Sequence, residues 1–129
     1  MAKAFKPAYV EIRDLAPAKI YEFVSRALDD ASCTDKRLDL KASRILGKAS
    51  LGSLTIVTWW TAQQEETIAD GMPMLTINKE DATMIGVCAY SRSQDATSGT
   101  DVTNRLKTKI ENLINVFWEE VQTTKAIGP

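Results

Sequence analysis

The side chains able to do chemistry in this sequence are mostly carboxylates and cations, because it contains no histidine. Serine–histidine and cysteine–histidine nucleophile systems are therefore excluded, as are imidazole-held zinc and iron sites. Two cysteines, Cys33 and Cys88, stand far apart and match no metal or CxxC spacing. Cys88 lies in an apolar run and reads as a small buried hydrophobe. Four acidic pairs remain: Asp29-Asp30, Glu65-Glu66, Glu80-Asp81 and Glu119-Glu120. Adjacent residues on a helix diverge by about 100°, so such pairs do not chelate by themselves. They read as solvated surface, and no calcium-loop spacing appears. No metal or cofactor is expected.

The cations offer a little more. Neither GxGxxG nor GxxxxGK[ST] is present. "SGTD" (98–101) leads into an apolar stripe that reads as a helix, and a helix N-terminus can hold an anion. Ser98, Gly99 and Thr100, with Arg92 just before them and Arg44 in the basic first half, are the anion-binding candidates. Arg105 and Lys109 share a helix face, but their half of the chain is acidic. Residues 1–60 hold ten basic and seven acidic side chains; residues 61–129 hold six and ten. The net charge of −1 argues against a nucleic-acid partner. The asymmetry itself suits a solvated face, or complementary charge between subunits.

The elements that must position these groups follow from periodicity. "AYVEI" (8–12) fits a short strand. "APAKIYEFVSRALDDAS" fits a helix, with Pro17 in its first turn and one stripe of Ile20, Phe23, Val24, Ala27, Leu28 and Ala31. Residues 36–49, "KRLDLKASRILGKA", satisfy strand and helix spacing alike. Strand is slightly favoured, with a break near Gly47 or Gly52. "LTIVTWWT" (54–61) is β-branched and aromatic, hence a strand. Asp70-Gly71 marks a turn, "MLTI" (74–77) a short strand and "NKED" (78–81) a turn. "ATMIGVCAY" (82–90) is apolar on both faces, as an interior strand would be. Val102, Leu106, Ile110, Leu113, Ile114, Phe117 and Val121 form the last helical stripe, with Thr100 or Asp101 as cap and Gly128-Pro129 as stop.

This pattern predicts one α+β domain over residues 1–129. A mainly antiparallel sheet of three to five strands packs on two long helices, one N-terminal and one C-terminal. No run approaches the ~18 apolar residues of a membrane span, and "MAKAFKPAYVEIRD" has no signal-peptide pattern. A soluble cytoplasmic protein with no membrane partner is the expectation.

Trp59 and Trp60 then raise a functional question. Neighbouring strand residues point to opposite faces. Leu54, Ile56, Thr58 and Trp60 share one face, which the helices would cover. Thr55, Val57, Trp59 and Thr61 share the other. Either residues 36–49 form a helix over that second face, or a second chain covers it. Val57, Trp59 and Tyr90 are accordingly the candidates for an interface or the edge of a ligand pocket. The sequence thus suggests a non-catalytic homo-oligomer that sequesters a small anionic or nucleotide-like ligand at a subunit interface. A structural or adaptor component is one alternative. A histidine-independent hydrolase using carboxylates, with Tyr90 or a lysine assisting, is another.

Overall fold

The structure, a computed structural model, describes residues 3–69, 71–91 and 96–127, with side chains from Lys3 to Thr123 apart from those of residues 96–98. Its elements are β1 (Ala4–Phe5), β2 (Ala8–Glu11), α1 (Pro17–Asp30), β3 (Thr34–Leu38), β4 (Ile45–Leu51), β5 (Leu54–Thr61), β6 (Ile68–Ala69), β7 (Met84–Tyr90) and α2 (Ala96–Ile127). Five strands form an antiparallel sheet in the order β2-β7-β5-β4-β3, and β1 pairs with β6 in a separate two-stranded sheet. This is the α+β class, with one helix near each end of the chain. No helix among the described residues is long and apolar enough to cross a membrane.

β5 is the axis of the fold. It pairs with β4 on one side and β7 on the other, and only Thr55 along it is not buried. Leu54, Ile56 and Trp60 join Ile85, Val87 and Ala89 of β7 in the main core, covered by Ile20, Phe23, Val24, Ala27 and Leu28 of α1 and by Leu106, Ile110 and Ile114 of α2. Trp60 thus sits on the helix-covered face, as its strand parity requires. The helices meet through Phe23 and Phe117, whose rings are 6.0 Å apart, with the Lys19 ammonium near both.

Residues 36–49 are strand at both ends, but not as one element. β3 and β4 are joined by a turn at residues 39–44, in which the Asp39 carboxylate accepts from the Lys41 N–H at 2.8 Å. Gly52 makes the expected break, at φ +59° in the β4–β5 turn. Gly47 does not: it lies inside β4, where an added Cβ would meet Leu38 Cδ2 at 2.3 Å and the Arg37 carbonyl oxygen at 2.6 Å.

The second face of the sheet is covered by neither expected occupant. Phe5 of β1 and Ile68 of β6 pack on Val57, Trp59 and Cys88, with Tyr9, Ile45 and Tyr90 at the margin. Val57 and Trp59 are wholly buried within the single chain. Two-residue strands have no periodicity to read, so this cover left no mark in the apolar pattern.

Two further boundaries differ from expectation. Residues 74–77 form no strand; their link to β5 is Ile77 N–H to the Trp60 carbonyl at 3.0 Å and Thr61 Oγ1 to the Leu75 carbonyl at 2.6 Å. Pro73 brings no N–H to a ladder, and the segment only passes the end of β5. The last helix begins at Ala96, so Thr100 and Asp101 lie inside it and do not cap it. Its expected stop, Gly128-Pro129, lies outside the described residues, as does Asp70 of the expected Asp70-Gly71 turn; Gly71 itself adopts φ +73°.

Candidate functional site

Past Glu11 the chain must leave the sheet and enter α1, and it does so abruptly. Ile12 N–H extends the ladder to the Thr83 carbonyl at 3.0 Å, and Leu15 N–H closes back on the Ile12 carbonyl at 3.3 Å. Between these buried residues, Arg13 and Asp14 take φ +55° and +63°. The left-handed region is unfavourable for a residue with a Cβ, less so for Asp than for Arg. Two such residues closed by the Leu15-to-Ile12 bond have the φ signs of a type I′ turn, which favours Asn, Asp and Gly and is least suited to Arg13. Here Ile12 and Leu15 pin the turn from below. The Arg13 guanidinium donates to Asn115 Oδ1 of α2 at 2.6 Å.

This turn forms one wall of a cleft of about 910 Å³, within the range of roughly 300–1,000 Å³ usual for ligand sites. The opposite wall is the approach to β7, from Lys79 and Glu80 through Thr83 to Met84, and Trp60 is packed beneath the cleft without surface of its own. Glu11, Arg13, Asp14, Gln64, Glu80 and Thr83 are its exposed polar side chains. Lys79 is committed elsewhere: its ammonium donates to the Leu40 carbonyl. Trp60 is wholly buried, and its indole N–H has no acceptor among the described residues. A smaller cavity of about 280 Å³ adjoins on the α2 side and shares Glu11, Arg13 and Gln64 with the first.

The candidates read from the sequence lie elsewhere: the interface candidates are brought into one cluster, while the anion candidates among the described residues are not brought together. Val57, Trp59 and Tyr90 belong to the cluster under β1 and β6. Tyr90 packs against Phe5 at 5.2 Å, and Gly71 approaches its ring so closely that a Cβ there would lie 2.1 Å from Cζ. On the same face Tyr9 meets Trp59 edge-on at 6.1 Å, and its hydroxyl accepts from Glu65 N–H at 2.7 Å and donates to the Glu65 carbonyl. Burial, chiefly, raises the Tyr9 pKa above its ordinary value. The Glu65 carboxylate takes Met74 N–H on one oxygen, while the other is buried without a partner among the described residues.

The anion candidates divide between the two ends of the sheet. The Arg44 carbonyl accepts from Trp60 N–H, at the end where Trp60 faces Ile85. Gly99 packs on the Ala89 carbonyl, 2.6 Å from where its Cβ would be, four residues further along β7, or about 13 Å at 3.3–3.4 Å per residue. Ser98 and Gly99 fall in the first turn of α2 and Thr100 follows. Arg92 lies outside the described residues. The close approach of Gly99 has a packing reason. Ala89 lies beyond the end of β2. Its N–H is taken by Thr103 Oγ1 at 2.8 Å, and that hydroxyl donates to the Gly99 carbonyl at 2.7 Å.

Sequence reasoning named Glu80 of the cleft, as half of an acidic pair, and Trp60 as core. It gave no reason to single out Glu11, Arg13, Asp14 or Gln64. Their common signal is conformational, and a left-handed Arg-Asp pair has no compositional signature of the kind a glycine provides. No family model, curated protein or solved structure matches the chain.

Proposed function

We propose that this chain is a non-catalytic binding protein whose ligand occupies the cleft between the Arg13-Asp14 turn and residues 79–84. The observation that carries this reading is the strained pair itself. Two successive non-glycine residues at positive φ form the rim of a large cleft, and strain of this kind concentrates at ligand clamps and active sites. Binding is preferred to catalysis because Glu11, Asp14 and Glu80 are all exposed. A general acid or base is usually tuned by burial or by a close charged neighbour. Sequestration of an anion, expected from Arg44 and Arg92, draws no support from this cleft, where carboxylates outnumber cations. The test is a ligand screen by chemical-shift perturbation on wild type and Thr83→Trp, which places an indole in the cleft. Ligands that perturb Ile12, Asp14 and Thr83, and that Thr83→Trp excludes, support the reading. Ligands bound equally by both proteins sink it, and turnover lost on Glu80→Gln would favour the carboxylate hydrolase instead.

A second reading, self-association, is supported by a different surface from the one around Trp59. Met72, Met74 and Leu75 are 48%, 82% and 42% exposed within one four-residue stretch. Adaptable, methionine-rich apolar surfaces are common at contacts. Light scattering on wild type and Met74→Lys decides it. A wild-type monomer at high concentration removes the reading.

A further inference from the structure

We infer that the outer edge of β2 pairs with β2 of a second copy of this chain, antiparallel about a two-fold axis at Val10, joining two five-stranded sheets into one. This contact is independent of the cleft assignment and of the Met72–Leu75 surface. Antiparallel partners alternate between residue pairs that bond each other and pairs whose N–H and C=O groups face outward. Ile12 N–H bonds the Thr83 carbonyl, in register with Ala8↔Val87 and Val10↔Ile85. Ala8, Val10 and Ile12 therefore face β7, and Tyr9 and Glu11 turn their N–H and C=O groups away from it. Neither residue's main chain has a hydrogen-bond partner on that side among the described residues.

The two edges of the sheet differ. β3, at the far edge, carries devices that deter pairing. Its register slips between Thr34 and Arg37, Asp35 is left-handed at φ +51°, and the Lys36 ammonium is tied back to Ser25 Oγ and Asp29 of α1, each at 2.7 Å. Ala8–Glu11 has no register slip, no positive φ, no lysine and no proline. An edge left open in this way is a template for another strand. There is also room for one. The cavity of about 280 Å³ beside β2 is lined by Tyr9 from the Trp59 face of the sheet and by Ile114 from the Trp60 face, and those faces meet only round the edge. A strand residue fills roughly 160 Å³ at the usual rise, strand spacing and sheet separation, so about two residues of added strand fit.

Two fits single out a second copy as the occupant. Centred on Val10, an antiparallel copy sets Tyr9 of each chain opposite Glu11 of the other, and every outward-facing group of both residues is satisfied. The helix layer closes as well. Packed helices stand about 8–10 Å apart, or roughly two strand spacings. α2 lies against both β7 and β2, so the copy's α2 comes alongside at about that separation. The axis passes α2 near Glu111 and Ile114, which share the cavity with Val10. Antiparallel about it, Arg105, Lys107 and Lys109 of each helix lie beside the acidic Glu119-Glu120 stretch of the other, a complementary arrangement of charge. The symmetry is that of the commonest oligomer.

The experiment is sedimentation equilibrium and amide hydrogen exchange on the full chain over a wide concentration range. Wild type is expected to dimerise, with the Tyr9 and Glu11 amides protected and that protection falling on dilution. Glu11→Pro deletes an N–H that no bond within the chain uses, at an exposed edge position where proline is tolerated. It should weaken the dimer roughly ten- to hundredfold, the loss of one backbone bond in each direction, while Glu11→Gln and Met74→Lys leave it intact. A wild-type monomer overturns the inference. So does a dimer in which the Tyr9 and Glu11 amides exchange freely, a result that does not depend on any variant folding. Dissociation by Met74→Lys but not by Glu11→Pro moves the contact to the Met72–Leu75 surface. Protection of both amides in a monomer only when an unrelated extended peptide is added overturns the second copy in favour of a foreign strand.

Discussion

The Trp59 indole lies across the backbone of Gly86, its cross-strand partner between β5 and β7. A Cβ on Gly86 would come within 2.3 Å of Trp59 Cε2 and Cζ2 and 2.8 Å of Nε1. Glycine costs a strand entropy and contacts, and here the aromatic ring fills the space that its missing side chain leaves. The ring is closed in from above by Phe5 and Ile68 and edge-on by Tyr9. A large residue on the helix-free face of the sheet is thus fully used inside one chain.

Gly86→Ala should therefore destabilise by about 1–3 kcal/mol or more, the usual cost of overpacking a filled core. Combined with Trp59→Leu, which removes the colliding ring, most of the Gly86→Ala penalty should disappear. A double-mutant cycle by urea unfolding measures this coupling. Additive penalties would show that the two residues do not constrain each other.

Thr103→Val tests how α2 is fastened to the sheet. The substitution leaves the buried Ala89 N–H without its 2.8 Å acceptor and removes the donor to the Gly99 carbonyl. An orphaned buried donor costs about 1–3 kcal/mol. Hydrogen exchange at the Ala89 amide should accelerate by more than at Ile85 or Val87. Uniform acceleration along β7 would mean that the hydroxyl acts only through global stability.

The large elements were legible in the sequence because each has a periodic reason to exist. The stripe of Ile20, Phe23, Val24, Ala27 and Leu28 is buried as spaced. The parity of "LTIVTWWT" correctly sends Trp60 towards the helices and Trp59 away from them. What failed had no period. β1 and β6 are two residues each, so Phe5 and Ile68 read as isolated apolar residues. "MLTI" has strand composition, but Pro73 and a single ladder-like bond leave it as a connector. The cleft was illegible for a related reason: Glu11, Asp14 and Glu80 are brought together by the meeting of β2 with β7, a pairing across more than seventy residues, and β7 in turn sets them over Trp60 of β5.

Alkaline pH should expose the buried thiol energetically. Burial pushes Cys88 from an ordinary value of 9.0 up to about 12, so the folded state keeps it protonated where the unfolded state has begun to ionise. The unfolded chain then binds fewer protons than the folded one, and stability falls as pH rises. The contribution is fully present below about pH 9 and is lost progressively from there to about pH 12. Burial raises Cys33 and Tyr9 too, in the same direction. Comparing urea midpoints at pH 7, 9 and 10.5, Cys88→Ala should decline less steeply than wild type. Parallel declines would place the alkaline sensitivity elsewhere.

The Arg13-Asp14 turn can be set against a left-handed residue outside the cleft lining. Ser32 adopts φ +64° just after α1. There Ser32 N–H bonds the Asp29 carbonyl and Cys33 N–H the Leu28 carbonyl, the paired bonds of a helix stop whose favoured residue is glycine. Ser32→Gly should therefore stabilise by roughly 0.5 kcal/mol, the relief of the Cβ clash less the added freedom of the unfolded chain. Asp14→Gly relieves the same kind of strain at φ +63° and should raise the unfolding midpoint by a similar amount. The two should part company in binding. Ser32 is outside the cleft lining, so its variant keeps the affinity of wild type for ligands of the cleft. Asp14→Gly removes both a lining carboxylate and the rigidity of the rim, and it should gain stability while losing affinity. If Asp14→Gly instead destabilises, the left-handed backbone at that position is held by interactions of the Asp14 side chain. The strain would then be local turn chemistry, without the ligand clamp that we assign to it.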